Sequence, residues 1–169
     1  MKKTLGWSSD RASPTDFQAH ISSAKNQGIC DARGYYEWSD ANKDVARVFA
    51  HYETIMRQRN QIDFDDMLWL TVRLLEDHPN FRMECQRQWT TILVDEFQDT
   101  NGMQFEFLRL LATRVDTSCS YSSSGSSCGV REVFPAPASL YVVGDEDQAI
   151  YAFRGADAEN QNRFDVEFQ

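Results

Sequence analysis

Apolar residues recur at three- and four-residue intervals through the first half of the chain and in short unbroken runs later, so helices are expected first and strands afterwards. Ser13-Pro14-Thr15-Asp16 has the composition of a helix start: a capping hydroxyl, proline in the first turn and an acid near the positive end of the helix dipole. Phe17, Ile21 and Ala24 then share a face, and Gly28 supplies the stop. A second helix is predicted after Asp40, with Val45, Val48, Phe49, Tyr52, Ile55 and Met56 on its apolar side. Lys43, Arg47, Arg57 and Arg59 lie on its other side, either as a solvated face or as a phosphate-contacting one. A third helix begins near Asp63, with Asp66 three residues on, and runs through Met67, Leu68, Val72, Leu74 and Leu75. His78-Pro79 ends it and opens a short fourth.

The pattern then changes. Thr91–Val94 and Leu140–Val143 are short apolar runs, each emptying into carboxylates and amides, and a helix through Met103, Phe107, Leu108, Leu110 and Leu111 lies between them. This predicts a β-α-β unit with buried parallel strands and a right-handed crossover. Between the helix and the second strand, 117–129 is so rich in serine and glycine that a disordered surface loop is expected.

At 169 residues and 41% hydrophobic, the chain can build one core domain or a core with a smaller lobe. No apolar run approaches bilayer length and no signal-peptide stretch follows the Met-Lys-Lys start, so an intracellular protein without membrane association is expected. Cys30, Cys85, Cys119 and Cys128 form no Cys-x-x-Cys pair and read as free thiols, with a Cys119–Cys128 redox pair as the alternative. A net charge of −9 argues against holding nucleic acid by bulk electrostatics, though not against a local aromatic or basic track.

The acids cluster at the two strand ends, where chemistry is expected. A carboxylate at the end of a strand, here Asp95, can hold magnesium largely through water. Glu96 beside it can orient and deprotonate an attacking water. Gln98 and Gln148, each with donors and an acceptor, can detect a γ-phosphate or its water, and Gln148 is the better placed of the two. Read alone, the Asp-Glu pair is equally a pair of loop residues. Tyr151, Phe153 and Arg154 either stack on unpaired bases, at about 1–3 kcal/mol per base, or form core and a salt bridge. No Gly-x-x-x-x-Gly-Lys-[Ser/Thr] loop occurs, and none of the four lysines follows a glycine.

Asp95-Glu-Phe-Gln-Asp-Thr-Asn101 and Val143-Gly-Asp-Glu-Asp-Gln-Ala-Ile-Tyr-Ala-Phe-Arg-Gly-Ala156 together resemble motifs II and III of UvrD/Rep-type superfamily 1 DNA helicases. Asp63-Phe-Asp-Asp-Met-Leu68 is similar to the segment preceding motif II, and Ile21-Ser-Ser-Ala-Lys-Asn26 to a stretch of their inserted helical subdomain. The resemblance implies an α/β chain with a partial RecA-like P-loop NTPase fold over 63–169, preceded by part of a mostly helical subdomain over 1–62, with a disordered insert at 116–138. It implies ATP and Mg2+ as cofactors, Asp95 on the metal, Glu96 as catalytic base, and Gln148 coupling the γ-phosphate to DNA, with Gln98 also near the nucleotide. Phe64, Tyr151, Phe153 and Arg154 would meet single-stranded DNA or a single/double-strand junction, and Phe153 stands where many members carry Trp. The phosphate-binding loop and second motor domain are expected outside this sequence, making the rest of a helicase a partner and leaving the chain alone with little or no ATP hydrolysis. Two other readings are a non-catalytic DNA- or partner-binding module and, with less support, a nuclease using Asp95, Glu96 and Asp99.

Overall fold

The computed structural model describes residues 13–38, 43–113, 138–148 and 159–168. Most of them are helical, joined by one small parallel sheet, so the chain is α/β. Its contacts divide it into two units, Met1–Trp69 and Leu70–Gln169.

The first unit is built on α1 (Pro14–Asn26), α2 (Ala32–Trp38), α3 (Lys43–Gln58) and the beginning of α4 (Phe64–Asp77). The Ser13 side chain accepts from the Asp16 N–H at 3.2 Å, and the Asp16 carboxylate accepts from the Ser13 N–H at 2.7 Å, closing a capping box. Gly28 takes φ 80° and returns its N–H to the Lys25 carbonyl, which ends α1 as its position predicts. Ile21, Ala24, Val45, Val48 and Phe49 form the core together with Tyr35. Tyr35 is carried by α2, a helix the apolar periodicity did not predict. Gly34 lowers the helix propensity of this stretch, but the Asp31 carboxylate caps the first turn by accepting from the Gly34 N–H at 2.6 Å. Tyr35 then sets its ring edge-on to Phe49, while Arg33 pairs with Glu37 on the exposed side of the helix.

The second unit holds the rest of α4, then α5 (Pro79–Gln88), β1 (Thr91–Val94), α6 (Gly102–Ala112), β2 (Ser139–Val142) and α7 (Glu159–Glu167). β1 and β2 pair in parallel, Thr91 opposite Ser139 and Val94 opposite Val142, and flanking bonds from Ser139 N–H to Thr90 and from Val143 N–H to Val94 lengthen the ladder. The strands are less buried than their apolar runs predict. Ile92, Val94, Leu140 and Val142 are partly buried, whereas Leu93 is 77% exposed and its register partner Tyr141 60%. Alternate strand residues point to opposite faces, and no described element covers the Leu93–Tyr141 face.

In α6 the buried residues include Met103, Phe105, Leu110 and Leu111, while Phe107 and Leu108 are only partly buried. Asn101 and Gln104 close a second capping box at its start. Its last carbonyls are held by α5: Arg82 and Gln86 both donate to the Leu110 and Thr113 carbonyl oxygens, at 2.6–2.9 Å. Cys85, on the same helix, is buried, and burial pushes its thiol pKa up. The insert expected at 116–138, and Cys119 and Cys128 within it, lie outside the described residues apart from Ala138.

Candidate functional site

The end of β1 delivers Asp95 and Glu96 into solvent-exposed positions. Asp95 Oδ1 accepts from the Glu96 N–H at 2.9 Å. Glu96 stands at φ 52°, in the left-handed region, which costs a non-glycine residue roughly 1 kcal/mol. That turn lets Phe97–Asp99 form a single 3₁₀ turn with Phe97 and Gln98 buried. Phe97 anchors it, its ring 6.4 Å from Phe105 and 5.7 Å from Phe164 of α7. Asn160 of α7, 1% exposed, donates to the Thr100 carbonyl at 2.8 Å. The sequence pattern did not reveal α7 or the role of Asn160; the only signal was a short Phe164/Phe168 repeat in an acidic stretch.

A cavity of about 380 Å³ opens beside this turn, lined by Asp95, Glu96, Asp99, Gln104, Phe107 and Leu108. This explains why Phe107 and Leu108 are not core. Asp99 lines it too, and its buried Oδ1 has no hydrogen-bond partner among the described residues. No group of three His, Cys, Asp or Glu side chains gathers as a metal cage among the described residues. Magnesium binds through one or two carboxylates and retained waters, and the Asp95 and Asp99 carboxylates that line this cavity are donors of that kind.

Gln98 is not presented to this cavity. Its Nε2 donates to Glu96 Oε2 at 2.6 Å, and its Oε1 accepts from the Asp145 N–H, past β2, at 3.0 Å. Gln148 is exposed and donates to Asp145 Oδ2 at 2.7 Å. The structure therefore brings Asp95, Glu96, Gln98 and Gln148 to one end of the two strands. Tyr151, Phe153 and Arg154 lie outside the described residues.

In the first unit, Phe64 begins α4 and is 89% exposed, the most of any large apolar side chain among the described residues. It borders a second cavity of about 390 Å³ with Phe17, Ile21, Val48, Tyr52 and Asp63. A buried cation fixes this helix start. Lys25 donates to Asp63 at 2.7 Å and to Asp66 at 2.5 Å, and the Tyr52 hydroxyl also donates to Asp63. Burial pulls the Lys25 pKa down, but the bonds and charges of the two aspartates outweigh it and hold it above its ordinary value. Burial likewise works against the Asp63 carboxylate, and its bonds from Lys25, Tyr52 and the Asp66 N–H bring its pKa below the usual range.

A helical unit is thus followed by an α/β unit whose parallel strands lead into a carboxylate pair and an amide. The chain belongs to the UvrD/REP helicase N-terminal domain family, whose profile matches residues 1–169. It is 34% identical over 170 residues to "ATP-dependent DNA helicase UvrD1" of Mycobacterium tuberculosis (strain ATCC 25618 / H37Rv), covering 98% of this chain and 20% of that protein. It is 30% identical over 166 residues to "ATP-dependent DNA helicase PcrA" of Leuconostoc citreum, covering 97% and 19%. The chain thus spans about a fifth of the length of these relatives. No helix among the described residues is long and apolar enough to cross a membrane.

Proposed function

We propose that the chain forms part of the motor of an intracellular ATP-dependent DNA helicase, its second unit contributing the carboxylate edge of a RecA-like Mg-ATP site and its first unit a single-strand contact. The observation that carries this reading is the joint delivery of Asp95 and Glu96 past β1 and Gln148 past β2, on strands paired in parallel. Asp95 would hold Mg2+ largely through water, and the ion, when bound, neutralises phosphate charge. Glu96 would take a proton from the attacking water, and Gln148, whose carboxamide oxygen makes no described bond, would sense the γ-phosphate. Phe64, exposed in the first unit, would stack on an unpaired base of a single strand or junction, and Tyr151, Phe153 and Arg154 of the second unit would make single-strand contacts of their own. The phosphate cradle and second motor unit would come from the remainder of a helicase, since no Gly-rich lysine loop occurs in the sequence.

The test grafts this chain in place of the matching segment of the M. tuberculosis relative. DNA-stimulated ATP turnover that Glu96→Gln abolishes is the expected result. A folded chimera that binds a single strand but hydrolyses nothing would instead favour a non-catalytic binding module.

A further inference from the structure

We propose that Gln98 is the positioning residue of the strand-end site, fixing the Glu96 carboxylate and transmitting its position to the Asp145–Gln148 turn. The inference rests on the reading of Glu96 as a base. Gln98 is 7% exposed, and both ends of its carboxamide are engaged: the amide with Glu96 Oε2, the oxygen with the Asp145 N–H. Asp145 in turn accepts from the Gln148 side chain. Three hydrogen bonds therefore link the base past β1 to the amide past β2, passing at Asp145 from its backbone N–H to its carboxylate.

The chemistry suits a base. Donation to Oε2 leaves Oε1 as the Glu96 oxygen free to receive a proton. A neutral amide orients the carboxylate without cancelling its charge, as a lysine or arginine would. Gly144 makes room for the arrangement, because a Cβ there would come within 2.6 Å of Gln98 Oε1 and 3.2 Å of the Gln98 and Phe97 backbone nitrogens. A rival route exists in the backbone bond from Phe97 N–H to the Val143 carbonyl at 3.0 Å.

Nitrogen-resolved magnetic resonance on the full chain, without nucleotide, separates the routes. Glu96→Ala is expected to displace the Asp145 backbone signal and the Gln148 side-chain amide, and this displacement is expected to vanish in a Gln98→Met background. Equal displacement in both backgrounds, or none in the native one, would overturn the proposal. Should Gln98→Met not fold, the Gln98 side-chain amide of the otherwise native chain gives the answer: Glu96→Ala should shift it and speed its hydrogen exchange, and an unchanged signal counts against the role. None of these readouts needs ATP, so they stand apart from failure of the helicase reading.

Discussion

Lys25 with its two aspartates and the Asp95–Glu96 edge are both clusters of charge on short segments, yet they are built in opposite ways. Lys25 is 3% exposed and meets two carboxylates and a tyrosine ring 5.3 Å from its nitrogen. Asp95 and Glu96 are exposed, close no ion pair among the described residues, and border a cavity lined also by Asp99. A buried, saturated charge network holds a shape and has no capacity left for a ligand. An open edge with spare acceptors contributes little to stability and can take a cation or a proton.

Breaking the first cluster should have the largest effect. Lys25→Met leaves Asp63 and Asp66 without their cation, and about 3 kcal/mol of stability should be lost in denaturant unfolding. Next comes Asn160→Ala, which strips the donor from the buried Thr100 carbonyl and should cost about 1–3 kcal/mol by the same measurement. A pH series of melting curves sharpens the contrast. Because the folded pKa of Asp63 is depressed, its contribution is complete above the unfolded value of about 3.9 and is lost as pH falls through the lower folded value. Lys25→Met should flatten that acid limb. Asp95→Asn and Glu96→Gln should have the smallest effect on melting, within about 0.5 kcal/mol, while removing DNA-stimulated turnover from the chimera. An equal loss of stability at both clusters would erase the distinction.

Much of the scaffold was legible because it is encoded locally. Ser13-Pro14, Gly28, Asp63 with Asp66 and the two apolar runs each combine propensity and spacing within a few residues, and the structure follows them. What the pattern did not predict required distant partners. α2 depends on Tyr35 meeting Phe49, α7 on Phe164 reaching Phe97, and the burial of Phe105 rather than Phe107 on which side of α6 the cavity opens.

The sequence by itself determined that Asp95, Glu96, Gln98 and Gln148 follow apolar runs, because strand and turn chemistry depend on neighbours along the chain. Only the tertiary structure decided what each meets. Pairing β1 with β2 brings Asp145 to Gln98, which turns an amide that resembled a phosphate sensor into a buried tie between two strand ends. The same folding leaves Gln148 exposed and places Lys25 between aspartates far from it in sequence. Hydrogen bonds and burial are properties of pairs brought together in space, and no local pattern specifies which pairs will meet.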